Sequence, residues 1–130
     1  MKEQVLLFEI NEDTIRKQVR RALLPLRIRV RVIEKGQYHM TLGELAANLP
    51  SADSDEANPI ENPPLAAPMM VLAGLTSSRL DSVLRALREQ RVNLPYKAVL
   101  TAHNAAWTPA QLLDELIQEH ARIQELQKQQ

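Results

Sequence analysis

Met69-Met70-Val71-Leu72-Ala73 is an unbroken apolar run, closed by Gly74-Leu75-Thr76. Its counterpart is Val5-Leu6-Leu7-Phe8-Glu9-Ile10, closed by Asn11. Short runs of this kind, bounded by turn residues, read as strands buried on both faces of a sheet. Each is followed by a helical stripe: Ile15, Val19, Ala22, Leu23 and Leu26 after the first, and Leu80, Val83, Leu84 and Leu87 after the second. Such spacing puts the apolar residues on one side of a helix. The two runs therefore define two similar units, and the path between the units decides the sheet.

Outward from these runs the pattern continues in both halves. Asn11 is the expected N-cap of the first helix, with Glu12 and Asp13 in the first turn. Pro25 ends that helix. Arg27-Ile28-Arg29-Val30-Arg31-Val32 alternates strictly and reads as a half-exposed strand at a sheet edge. Thr41-Leu42-Gly43-Glu44 is a capping box that starts a short helix reaching about Asn48. In the second half Thr76 or Ser77 caps the helix, and Tyr96 to Thr101 form the fourth strand. Thr108-Pro109-Ala110-Gln111 is a second capping box with proline at the first helical position. The expectation is one α/β domain over residues 1–130, with repeat halves 4–49 and 69–126. A flexible, proline-rich and acidic connection over 50–68 joins them, mobile around Ser51 to Asn58.

Two folds satisfy this pattern: a four-stranded parallel sheet of order 2-1-3-4 with helices on both faces, and a ferredoxin-like antiparallel α+β sheet. The ferredoxin-like plan joins its second and third strands by a short hairpin. Here a helix and about twenty residues intervene, as a long crossover needs, so the parallel arrangement is expected. It would bring the C-terminal ends of all four strands to one edge, where ligands bind in open α/β sheets.

Composition narrows the function classes. The chain has 130 residues, 45% of them apolar and 25% charged, and no cysteine. A disulfide framework and cysteine metal sites are thereby excluded, and a reducing, cytoplasmic setting fits. The N-terminal apolar run is too short to span a bilayer, so no membrane segment is expected. Net charge is zero, against the basic excess of a general nucleic-acid binder. Arg27, Arg29 and Arg31, with Arg16, Lys17, Arg20 and Arg21, form a basic region without the stacking aromatics of RNA-binding sheets. It reads as a solvated face that keeps the edge strand from pairing.

No phosphate-binding glycine loop occurs, and His39, His103 and His120 lie too far apart in sequence to suggest a metal site. No catalytic residue, metal or cofactor is assigned. The candidate ligand- or partner-binding residues are Thr76, Ser77, Lys97, Thr101, His103, Asn104 and Trp107. They belong to the turn 74–78, at a helix N-terminus able to meet an anion, and to the segment 97–107. In the structural reading of that segment Trp107 staples the loop to the core, Asn104 bonds loop backbone and Lys97 snorkels from an edge strand.

Lys97 to Thr108 reads K-A-x-L-T-x-x-N-x-x-W-T, and Glu115 to His120 reads E-L-x-x-E-H. Tyr38 and Leu42-Gly43-Glu44-Leu45 add Y-x-x-x-L-G-x-L. Together they resemble a family of small bacterial proteins catalogued as a domain of unknown function. The resemblance implies a bacterial, cytoplasmic protein and supplies no activity.

The resulting expectation is a small binding or regulatory module for a protein partner or small ligand. The alternative is an enzyme or anion-binding protein using the edge formed by 74–78 and 97–107. The last helix runs about twenty residues, roughly 30 Å. That exceeds what a four-stranded sheet needs, so Ile123 and Leu126 are expected beyond the core, where they would join a homo-oligomer.

Overall fold

The computed structural model describes residues 2–47 and 62–128. The stretch around Ser51 to Asn58, expected to be mobile, lies outside the described residues. Two strand-helix-strand-helix runs are present. The first comprises β1 (Gln4–Phe8), α1 (Asp13–Leu23), β2 (Arg29–Val32) and α2 (Leu42–Ala46), with a 3-10 turn at Lys35–Gln37. The second comprises β3 (Met69–Ala73), α3 (Ser77–Glu89), β4 (Lys97–Val99) and α4 (Pro109–Lys128).

The sheet has the order β2-β1-β3-β4. β1 and β3 are its centre, and all ten of their residues are buried. This follows from helices on both faces. Leu6, Phe8, Met69, Val71 and Ala73 pack with Leu42, Leu45, Leu112 and Leu113 of α2 and α4. Val5, Leu7, Met70 and Leu72 pack with Val19, Leu23, Val83 and Leu87 of α1 and α3. A strand covered on both sides has no polar alternation to show, hence the continuous apolar runs.

The sheet is mixed, which corrects the expectation of a wholly parallel one. β1 pairs parallel with β2, and β3 parallel with β4. The central pair is antiparallel, Gln4 opposite Ala73 and Phe8 opposite Met69, the feature that the ferredoxin-like alternative supplies. The reason is where the chain re-enters the sheet. α2 ends beside the start of β1, where Gln4 Nε2 donates to the Ala46 carbonyl at 2.6 Å. Residues 62–65 lie beside the far end of β1: Asn62 Nδ2 donates to the Lys35 carbonyl, and the Leu65 N–H to Glu9 Oε1. β3 thus begins where β1 ends and must run back along it. In consequence the C-terminal ends of β1 and β2 lie at one end of the sheet, and those of β3 and β4 at the other.

Backbone outliers occur in pairs. Glu9 follows β1 with φ 57°, and Gly74 follows β3 with φ 75°. Arg27 ends α1 with φ 57°, and Arg91 ends α3 with φ 59°. After each arginine the next N–H reaches back into the helix, Ile28 to the Leu23 carbonyl and Val92 to the Leu87 carbonyl. This is the left-handed C-terminal cap, a place where glycine is the usual residue.

Candidate functional site

The segment between β4 and α4 is built around Asn104, which is buried. Its Oδ1 accepts from the Thr101 N–H at 2.9 Å, and its Nδ2 donates to the Val99 carbonyl at 3.0 Å. Its own N–H donates to Thr101 Oγ1 at 3.3 Å. Both Asn104 and Thr101 are therefore occupied with loop backbone, as asparagine is in turns. The carbonyls that the loop presents outward are taken by α2. The Leu42 N–H donates to the Trp107 carbonyl at 2.8 Å, and the Gly43 N–H to the Ala105 carbonyl at 2.9 Å. These are orphan donors of the first helical turn. Thr41 and Glu44 complete the same N-terminus as a reciprocal capping box. Their hydrogen bonds hold the Glu44 carboxyl below the usual carboxylate range.

Glycine at 43 suits this close docking. A Cβ there would stand 3.1 Å from the Ala105 carbonyl oxygen and 3.3 Å from the Ala105 Cβ. The L-G of the first half and the N-x-x-W of the second are therefore one contact. Trp107 is half-buried against the core beneath α4, with the exposed His103 ring edge-on to it at 5.1 Å.

The other candidate residues stand apart. Thr76 is the N-cap of α3, its Oγ1 accepting from the Arg79 N–H, and Ser77 is the exposed first residue of that helix. This turn leaves the same end of the sheet as Thr101 to Trp107, but α3 packs on one face and α4 on the other. Lys97 sits at the opposite end of β4, level with Met70, and its Nζ donates to the Leu94 carbonyl at 2.6 Å. The structure thus brings Thr101, His103, Asn104 and Trp107 together and leaves Thr76 with Ser77, and Lys97, elsewhere.

The basic region also divides. Arg31 points to the α2 face, where Nη1 donates to Gln4 Oε1 at 2.8 Å and to the Leu45 carbonyl at 2.6 Å. It is a cap on the C-terminus of α2 as much as a solvated charge. Burial and the neighbouring charge of Arg29 lower its pKa. Arg16 Nε donates to the Ile10 carbonyl at 2.6 Å, and Lys17 pairs with Asp13 on α1.

Two further arrangements have no motif in the sequence. Arg79 forks onto Glu3 at 2.7 and 2.9 Å and donates to the Leu26 carbonyl at 2.6 Å, tying α3 to the start of β1 and the end of α1. At the far end of β1, Glu9 N–H donates to the Tyr38 hydroxyl at 3.2 Å. Burial and the charge of Glu9 push the Tyr38 pKa up to about 12. Among the described residues no three His, Cys, Asp or Glu side chains are grouped to hold a metal ion, and no helix is long and apolar enough to cross a membrane.

The largest feature without a packing role is the outer half of α4. The helix covers the sheet with Leu112, Leu113, Leu116 and Ile117, and at His120 it meets the Tyr96 ring at 5.7 Å. From Gln118 to Gln127 every residue is exposed. Ile123 and Leu126 are 51% and 63% exposed, on the continuation of the stripe that packs below.

No curated protein and no solved structure matches the chain. Residues 68–123, from the residue before β3 to Ile123 in α4, match the family model of a domain of unknown function (DUF3783).

Proposed function

We propose that the protein is a small cytoplasmic, non-enzymatic binding module that pairs with a second copy of itself through the outer half of α4. One observation carries this reading: α4 continues past its last contacts with the core, Ile117 and the His120–Tyr96 ring pair, as far as Lys128, and keeps its apolar stripe there. An isolated helix of that length is marginal in water, and most helical stability in proteins comes from packing an apolar face. A second copy presents the same stripe, and a two-fold axis covers both at once. Residues 118–130 carry two acids and two bases, so two such ends meet without net repulsion. The polar side chains of the β4–α4 loop support a non-catalytic role, because Thr101 and Asn104 are spent on backbone. The cysteine-free chain suits a reducing compartment.

Sedimentation equilibrium tests the pairing. The wild-type chain is expected to sediment as a dimer. Ile123→Asp combined with Leu126→Asp is expected to give a monomer that keeps its core and loses helix signal only for the outer half of α4, since both side chains stand exposed beyond the core. A wild-type chain that remains monomeric at high concentration contradicts the reading.

A further inference from the structure

At the start of β1 and β2 lies a groove of about 760 Å³ lined by Lys2, Glu3, Gln4, Arg27, Arg29, Ala46 and Ala47. We propose that this groove, with Lys2, Arg27 and Arg29 on its walls, binds a small molecule bearing two or more phosphate groups.

Among the described residues the positive charge in this groove is uncompensated. Three cationic side chains line the groove, and all three residues are exposed. None of the three side chains has a hydrogen-bond or ion-pair partner among the described residues. The one acid in the lining, Glu3, is already held by the Arg79 fork at 2.7 and 2.9 Å. Arg31 stands behind the wall, where it braces Gln4 and the end of α2. The charge of Arg29 is close enough to lower its pKa. Like charges gathered without a counter-ion repel, and a bound anion removes that repulsion.

The wall itself is fixed. Gln4 is buried and donates to the Ala46 carbonyl at 2.6 Å, so the floor of the groove is set before any ligand arrives. The volume suits a small ligand, within the usual range of roughly 300–1,000 Å³. Arginine forks take phosphate oxygens in pairs. Among the described residues the apolar side chains in the lining are Ala46 and Ala47, both too small to form a pocket for a peptide side chain. That favours a compact polyanion over an acidic peptide. Arg27 contributes from a left-handed backbone position, φ 57°, which arginine rarely occupies and which directs it from the end of α1.

Titration calorimetry on the full chain tests the site, with tripolyphosphate as the phosphate probe and tetraglutamate as the carboxylate probe. Arg27→Asn removes the charge while keeping a residue type that tolerates the left-handed backbone. Arg29→Gln and Lys2→Gln act at exposed positions away from the core. Tripolyphosphate is expected to bind, and each arginine substitution to weaken it about tenfold or more. Arg88→Gln, on α3 and outside the lining, is expected to change nothing. Absence of tripolyphosphate binding overturns the proposal, as does binding undiminished by the three groove variants. Tetraglutamate binding of equal strength, lost equally in the same variants, overturns the phosphate class.

Discussion

Gly43 stands where a side chain would be crowded, against Ala105. The Ala105 oxygen accepts from the Gly43 N–H at 2.9 Å and would lie 3.1 Å from any Cβ added there. Gly43→Ala is therefore expected to push the β4–α4 loop off α2 and destabilise the fold by about 1–3 kcal/mol, the usual cost of overpacking. A urea melt followed by circular dichroism measures it, and a neutral result would mean that the loop gives way freely. Tyr38 makes a second residue-level prediction. Its hydroxyl pKa rises to about 12 in the folded chain, against about 10 when unfolded. Below pH 10 both states hold the proton and the contribution is intact. Between pH 10 and 12 only the unfolded chain releases it, so stability falls as pH rises through that window. Tyr38→Phe is expected to remove this alkaline loss, read from melting temperatures between pH 8 and 12.

At the scale of elements, three of the four α-helices have side-chain caps where the sequence places them. Thr41 and Thr76 accept from the third residue of their helices, and Thr108 with Gln111 closes the box at the start of α4. α1 is the exception. Asn11 is the residue type for its cap, but the chain enters the helix one residue later, at Glu12, with no side-chain cap bond. Glu12→Ser is thus expected to stabilise the chain by about 0.5–1 kcal/mol, seen as a rise in the urea midpoint. The same comparison shows why caps were legible and other features were not. A capping box is local, three residues apart, whereas the left-handed turns at Glu9, Arg27 and Arg91 are filled by residues that do not advertise that conformation. Glu9 is accounted for by what it holds, the Leu65 N–H and the Tyr38 hydroxyl, and those partners are distant in sequence. Arg31 likewise reads as a surface charge until α2 is placed beside it.

At the scale of the molecule, strand order and the two-sided burial of β1 and β3 were readable from their apolar runs. The direction of β3 was not. A long connection is compatible with entry at either end of the sheet, and the hydrogen bonds of Asn62 and Leu65 to Lys35 and Glu9 decide it. That reversal puts the C-terminal ends of β3 and β4 at the end of the sheet opposite those of β1 and β2. Lys97 and Thr101 stand apart because they flank opposite ends of β4, and Thr76 and Trp107 because α3 and α4 cover different faces. The candidate residues of 74–78 and 97–107 form one set in the sequence and occupy three places in space: Thr76 with Ser77, Lys97, and Thr101 to Trp107. The outer half of α4 was legible for a simple reason: a twenty-residue helix is longer than the sheet beneath it, and its stripe does not stop at the edge. The left-handed backbone positions also fall in pairs, Glu9 with Gly74 and Arg27 with Arg91.

The pairing of α4 ends is tested most directly by amide hydrogen exchange over residues 118–127. In a lone chain this segment has only the His120 contact with Tyr96 at its start, and a helix with so little tertiary support opens readily. In the dimer its amides are shielded by the partner helix. The account therefore expects strong protection over 118–127 at high protein concentration, falling on dilution while Leu112 and Leu113 stay protected. Fast exchange in 118–127 that does not change with concentration, alongside an intact core, would contradict it.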